Sequence, residues 1–71
     1  MIAALLLYTC ALTGGDCYFT VINDQVPKLG CDRAGMIEAA RFIGDHPNRR
    51  FVRYVCDDPR KVPFYLGREQ A

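Results

Sequence analysis

The sequence predicts an α+β domain of ββαβ order, in which a three-stranded sheet of strand order 2-1-3 packs on one helix. Three observations predict this fold. An apolar run opens the chain, a glycine-rich turn joins it to a second β-like segment, and a helical period of apolar residues precedes a third alternating segment. A chain of 71 residues forms one small domain. The core of a domain this small is only marginally stable, and a covalent cross-link such as a disulfide increases its stability.

The apolar run at residues 2–12 predicts the central strand, because both of its alternating faces are apolar. A secretion signal would need a basic residue before the run, but the first one is Lys28. A lipid anchor would need small residues before Cys10, which instead follows Tyr8 and Thr9. The run is too short to cross a bilayer as a helix, so we expect no membrane association.

A turn and a second strand follow. The tetrapeptide TGGD at residues 13–16 is a hairpin signal. Residues 17–23 are aromatic and β-branched, as strands prefer, and Asn23, Asp24 and Pro27 mark the end of this strand.

The helix is predicted to begin at Asp32, a candidate N-cap, and to end at Gly44, a candidate C-terminal cap. Pro47 forbids its continuation. The apolar stripe toward the sheet is expected to comprise Gly35, Met36, Ala39, Ala40, Phe42 and Ile43.

The third strand is predicted at residues 49–56, which alternate in polarity. One face is expected to carry Val52, Tyr54 and Cys56, and the other Phe51, Arg53 and Val55. The ββαβ domain then spans residues 1–58. Residues 59–71 hold two prolines and a polar end, and we expect an irregular tail, docked through Val62, Phe64, Tyr65 and Leu66.

The topology follows from the element order. The helix returns along the sheet, so the third strand lies parallel to the second, through a right-handed crossover. We expect the sheet face without the helix to be covered by the tail, by a partner or by a second copy of the chain. That face is expected to carry Leu5, Leu7, Tyr18, Thr20, Ile22, Phe51 and Val55.

The four cysteines are predicted to form two disulfides. Cys10 and Cys17 fall at the hairpin end of the sheet, whereas Cys31 and Cys56 fall at the opposite end, about 20 Å away. Bridged Cα atoms lie within about 7 Å of each other, so Cys10–Cys17 and Cys31–Cys56 are the expected pairs. Four buried thiols in a reducing cytosol are the alternative. The missing signal favours the cytoplasm, and the bridges favour an oxidising compartment.

No catalytic residue, metal site or cofactor is expected. The zinc spacing C-x₂₋₄-C, the redox motif C-x-x-C, a nucleophile elbow and a phosphate-binding loop are all missing from the sequence. His46, the only histidine, follows the helix and is expected to interact with its C-terminal end; a Cys–His pair is a minor alternative. A net charge of +1 argues against an acidic DNA mimic and against a strongly basic nucleic-acid binder.

Arginines interleaved with aromatic residues mark the third strand as a contact surface. The expected partner-binding residues are Arg49, Arg50, Phe51, Arg53 and Tyr18. Arginine and aromatic residues are enriched in protein binding hot spots. They also stack on nucleic-acid bases, so weak nucleic-acid binding is the alternative. Without any partner, charged side chains on this strand would protect a sheet edge from aggregation.

The cysteine spacing, together with Ala39-Ala40, His46-Pro47 and the segment RYVC at residues 53–56, resembles a group of small uncharacterised bacterial proteins found in chromosomes and phage-like regions. The resemblance covers about residues 5–57. This chain has Tyr54 where tryptophan is usual and a longer tail after Asp58. The function of that group is unknown, so the resemblance carries over no catalytic residue, and its phage association favours an inhibitor that acts by binding.

We therefore expect a non-enzymatic interaction module that binds another protein. Its most concrete form is a phage or mobile-element inhibitor of a host defence system.

Overall fold

A computed structural model describes residues 1–68 and confirms the predicted α+β fold. The elements, in chain order, are β1 (Ile2–Ala11), β2 (Cys17–Pro27), a 3₁₀ helix (Lys28–Gly30), α1 (Cys31–Asp45), β3 (Arg49–Asp57), a second 3₁₀ helix (Pro59–Lys61) and α2 (Val62–Arg68). The sheet has the order β2-β1-β3, with β1 antiparallel to both neighbours. Hence β2 and β3 run parallel to each other, as predicted.

The central position of β1 explains its composition. Its residues 3–7 are all buried, since the strand has a neighbour on each edge and a helix on each face. Leu5 and Leu7 point to the side of α1, and we call this side the α1 face. Leu6 and Tyr8 point to the opposite side, the α2 face.

The core consists of two clusters, one on each face of the sheet. On the α1 face, Ala3, Leu5, Val26 and Cys31 pack together. Strand β2 extends to Pro27 and does not end near residue 23 as predicted. Val26, near its end, is held in the sheet because its side chain packs in this cluster. The cluster on the α2 face contains Ala4, Leu6 and Phe19, packed against Tyr8, Val21, Val55, Val62 and Tyr65.

Helix α1 differs from its prediction in both ends and orientation. It begins at Cys31, its N-cap Gly30 makes no side-chain capping hydrogen bond, and it ends at Asp45, one residue beyond Gly44. The residues that it buries are Cys31, Gly35 and Ala39, whereas Met36 is 68% exposed.

The orientation of α1 has a physical reason. A Cβ atom at Gly35 would lie 2.7 Å from Cδ1 of Tyr54, so the helix approaches β3 where it has no side chain. The bridge from Cys31 to Cys56 ties the same side of the helix to the same strand. The smallest residues therefore face the sheet, and Met36, Ile37 and Ala40 are exposed.

The segment expected to be an irregular tail is helical as far as Arg68, and residues 69–71 lie outside the described part of the chain. Asp58 caps the 3₁₀ helix by accepting a hydrogen bond from the Arg60 backbone N–H. Of the four predicted docking residues, Val62 and Tyr65 pack on the α2 face. The other two, Phe64 and Leu66, are exposed.

The expected faces of the sheet are wrong. Most residues expected on the face without α1 lie instead on the α1 face, and Val55 is the one that packs beside α2. Because both faces of β1 are apolar, alternation alone does not indicate which of them receives the longer helix.

A bulge in β3 changes the predicted alternation of that strand. Arg53 pairs with Tyr8 and Phe51 pairs with Thr9, so Val52 is an extra residue between them. Phe51 therefore lies on the same face as Tyr54 and not, as predicted, on the face of Arg53.

Candidate functional site

The first half of β3 is the most exposed strand segment that combines charge with apolar area. Arg50, Phe51, Val52 and Arg53 are all exposed, and we call these four residues the β3 surface. Phe51 is 39% exposed and Val52 is 41% exposed. Four consecutive exposed residues are possible because β3 is an edge strand and both helices leave this end uncovered.

The bulge at Val52 places Arg50 and Arg53 on one face of the sheet. Arg50 lies opposite Cys10, and Arg53 lies opposite Tyr8, so both arginines belong to the α2 face. In an unbroken strand, residues three apart point to opposite faces. The bulge therefore gathers two positive charges that regular alternation would separate.

Aromatic rings lie beside one of these arginines, Arg53. The Arg53 guanidinium carbon is 5.7 Å from the centroid of the Tyr8 ring and 5.5 Å from that of Phe19. Contacts of this kind are favourable and restrict the side chain. Arg53 is thus held against the sheet while it stays exposed to solvent.

Arg49, the first of the predicted contact residues, is only 7% exposed. Its Nη2 donates to the Thr9 carbonyl at 2.9 Å and to Thr9 Oγ1 at 3.2 Å. Its guanidinium carbon lies 4.0 Å above the Tyr18 ring, and its Nη1 is 3.5 Å from Oδ2 of Asp16. This guanidinium binds the three strands together at the hairpin end and is not available to a partner.

The remaining predicted residues, Tyr18 and Phe51, both lie opposite Thr9 on the α1 face. Each is 39% exposed. The five predicted contact residues are therefore split into three groups. One arginine is internal, two arginines lie on the α2 face, and two aromatic residues flank the buried arginine on the α1 face.

Two carboxylates, Asp57 and Asp58, lie at the C-terminal end of β3, away from the β3 surface. Each of them contacts other side chains there. Oδ2 of Asp57 accepts the Tyr65 hydroxyl at 2.6 Å, and Oδ1 of Asp57 is 3.7 Å from Lys61 Nζ. Asp58 accepts from Arg60, with Nη2 to Oδ2 at 2.9 Å. Within residues 1–68, neither arginine of the β3 surface forms an ion pair.

These contacts lower the pKa values of both carboxyl groups. The Tyr65 hydroxyl, followed by the Asp58 backbone N–H, lowers the pKa of Asp57 below its ordinary value. The Arg60 side chain lowers the pKa of Asp58 to about 2. Both groups are therefore ionised at neutral pH.

The cysteines form the two predicted disulfides, Cys10–Cys17 and Cys31–Cys56, with Cα–Cα distances of 3.9 and 6.2 Å. All four sulfur atoms are used, so none of them is a free thiol. His46 caps α1, as predicted: its Nδ1 donates to the Phe42 carbonyl at 2.9 Å, and its ring stacks on Phe42 at 4.0 Å.

Residues 1–68 contain no cluster of three or more His, Cys, Asp or Glu side chains that could hold a metal ion. Of the helices in this part of the chain, none has the length and apolar character needed to span a bilayer.

Sequence reasoning missed two features of the site. One is the role of Thr9 and Asp16 as partners of Arg49, which lie far from it along the chain. The other is the bulge at Val52. No local sequence pattern indicates either feature, since each depends on how the strands pair in the sheet.

A scan against protein-family models gave no match, and searches of curated proteins and of solved structures found no similar protein.

Proposed function

We propose that this protein is a small interaction module that acts by binding another protein through the β3 surface, and not by catalysis. The observation that carries the proposal is the exposed segment at residues 50–53. It combines two arginines with two partly exposed apolar side chains on a disulfide-bonded scaffold. Arginine and aromatic residues on a rigid element are typical of binding hot spots.

The rigidity of the scaffold supports this proposal. Cys10 pairs with Cys17 directly beside Arg50, which lies opposite Cys10. Arg49, one residue before the surface, is fixed by Thr9 and Tyr18. A surface held in this way loses little conformational entropy on binding.

Within this class we propose an inhibitor that occupies the surface of its target, encoded by a phage or another mobile element. The family resemblance of residues 5–57 suggests this role. The small size and the bridges are compatible with a protein that has binding as its whole activity.

The second candidate function is weak binding of nucleic acid through Arg50 and Arg53. Two guanidinium groups that form no ion pair within residues 1–68 favour it, and one of them, that of Arg53, lies beside the Tyr8 ring. Arginine neutralises phosphates and aromatic rings stack on bases. A net charge of +1 gives this mode little long-range attraction.

The experiment compares wild-type protein with the double variant Arg50→Glu/Arg53→Glu in selections from a random peptide display library. Both positions are exposed, so the fold should be kept. The variant Lys28→Glu/Arg33→Glu makes the same change in net charge at exposed positions outside the β3 surface and serves as the matched control.

We expect peptides that bind wild-type protein and the control at least tenfold more tightly than the Arg50/Arg53 variant. Recovery of no such peptide would refute the proposal. Binding of a single-stranded oligonucleotide that is lost in the Arg50/Arg53 variant and falls steeply between 50 and 200 mM salt, on the scale of about tenfold or more, would establish the second candidate instead.

A further inference from the structure

We propose that the free edge of β3 receives an extended acidic segment of the partner protein, which adds to the sheet as a fourth strand and places carboxylates against Arg50 and Arg53. This inference rests on the proposed function and specifies the chemistry of the partner. It follows from the sheet edge, the charge on it and the apolar side chains around it.

The edge itself offers main-chain hydrogen bonds. The sheet order leaves β3 with β1 on one side only, and no further strand among residues 1–68 pairs with its outer side. A row of backbone N–H and C=O groups on an edge strand complements the backbone of an extended peptide. Nucleic acid cannot make the same ladder.

The charge selects an acidic occupant. Between Arg49 and Cys56 the strand has three arginines and no acidic residue. Arg50 and Arg53 share the α2 face and form no ion pair within the described residues. A carboxylate can accept two hydrogen bonds from one guanidinium group, which fixes both position and charge.

The same charge disfavours a second copy of the chain as the occupant. Pairing β3 with β3 would bring the arginines of two copies together along one edge, and like charges opposite each other destabilise a sheet.

The apolar side chains specify the alternation of the segment. Phe51 lies on the α1 face, next to the buried Arg49 and near Tyr18 across the sheet, and is 39% exposed. Side chains of a fourth strand would alternate between the two faces. The segment should therefore present acidic residues to the α2 face and apolar residues to the α1 face, at every second position.

The test uses synthetic peptides with blocked ends. The probe is Gly-(Glu-Val)₃-Gly, and the charge control replaces each glutamate by lysine. Two further probes carry N-methyl groups either on every glutamate or on every valine, so that each can donate backbone hydrogen bonds from one edge only. Affinity is measured by calorimetry at 50 mM salt, with the disulfides intact.

We expect the glutamate probe to bind and the lysine peptide to bind at least tenfold more weakly. One N-methylated probe should keep its affinity within about threefold and the other should lose at least tenfold, since a fourth strand uses one edge. Arg50→Glu/Arg53→Glu should reduce affinity at least tenfold, whereas Lys28→Glu/Arg33→Glu should change it by less than threefold.

The possible failures are distinguishable. If both N-methylated probes bind equally, or both fail, the fourth-strand arrangement is wrong. If display selection recovers neutral or basic peptides that depend on Arg50 and Arg53, the acidic segment is wrong but the proposed protein-binding function stands. If sedimentation shows that the chain dimerises and that Arg53→Glu strengthens the dimer, the occupant is a second copy. Oligonucleotide binding without peptide binding overturns both proposals.

Discussion

Arg49 shows how a charged residue becomes part of the core of this small domain. Burying a guanidinium group is costly unless its donors are satisfied. Here Nη2 and Nε donate to Thr9, and the plane of the group lies over the Tyr18 ring. The contact with Asp16 adds little, since that carboxylate is largely exposed.

Arg49→Lys is expected to lower the free energy of unfolding by about 1–3 kcal/mol. An ammonium group lacks the planar fork that reaches both oxygens of Thr9 and that stacks on Tyr18. Arg50→Lys, at the neighbouring exposed position, should change stability by less than about 0.5 kcal/mol. Urea unfolding monitored by tyrosine fluorescence measures both. Equal stabilities would show that the buried contacts of Arg49 contribute nothing.

Gly35→Ala is expected to destabilise the protein by about 1–2 kcal/mol. The new methyl group would lie 2.7 Å from Cδ1 and 2.9 Å from Cγ of Tyr54, so ring or helix must move. Overpacking of this kind costs roughly 1–3 kcal/mol, which exceeds the gain of about 1 kcal/mol in helix propensity.

The matched control for this variant is Gly44→Ala in the same helix. No atom lies within 4 Å of a Cβ placed at Gly44, so this variant should be more stable than wild type by about 0.5–1 kcal/mol. Thermal and urea unfolding of the two variants should therefore shift in opposite directions. A shift in the same direction would contradict the packing argument.

At the level of elements, the two disulfides connect different parts of the fold. Cys10–Cys17 closes the β1–β2 hairpin, whereas Cys31–Cys56 joins α1 to β3 across 25 residues of sequence. The entropy removed from the unfolded chain grows with the loop, to about 2.4 kcal/mol for seven residues and about 3.5 kcal/mol for 25. The buried Cys31 also contributes packing to the first core cluster.

Replacement of the pair Cys31/Cys56 by alanine should therefore lower the unfolding midpoint more than replacement of Cys10/Cys17. Intact mass with and without reductant should first show a difference of about four hydrogens in wild type and about two in each double variant. If the hairpin variant proves the less stable one, loop closure is not the dominant contribution. No mass difference in wild type would mean that the bridges do not form.

At the scale of the whole molecule, α2 completes the second face of the sheet. This seven-residue helix depends on Val62 and Tyr65 and on the hydrogen bond from the Tyr65 hydroxyl to Asp57. The Tyr65 ring also meets the Phe19 ring edge-on, with centroids 5.0 Å apart. A helix this short is unstable alone, so its structure depends on the sheet.

Helix α2 is expected to detach from the sheet at low pH. The pKa values of Asp57 and Asp58 are lowered in the folded protein, so the stability that these carboxylates contribute is complete above about pH 5 and is lost as the pH falls toward about 2. Amide hydrogen exchange of residues 62–68 should therefore speed up relative to that of β1 over this range.

The variant Asp57→Asn keeps an acceptor for the Tyr65 hydroxyl but removes one titrating group, so it should weaken the pH dependence. Asp24→Asn, an exposed change in β2, is the control and should leave the dependence unchanged. If exchange of residues 62–68, expressed relative to that of β1, is the same at pH 6 and pH 2.5 in wild type, these carboxylates do not hold α2.

The amino-acid sequence alone predicted the ββαβ order of residues 1–58, the sheet order and the pairing of the cysteines. It did so because the apolar β1 must be central, and because a helix that returns along a sheet leaves only two pairs of cysteines close enough to bridge. The cap formed by His46 was equally predictable from its place after α1.

The folded structure was needed to show which face of β1 receives α1, that residues 62–68 form a helix, and that Arg49 is internal while Arg50 and Arg53 share one face. Each of these features depends on contacts between distant residues. Gly35 meets Tyr54, Tyr65 meets Asp57, and the bulge at Val52 arises in the pairing of β3 with β1. Local sequence patterns report the period of a segment, whereas faces and bulges are set by what the segment packs against.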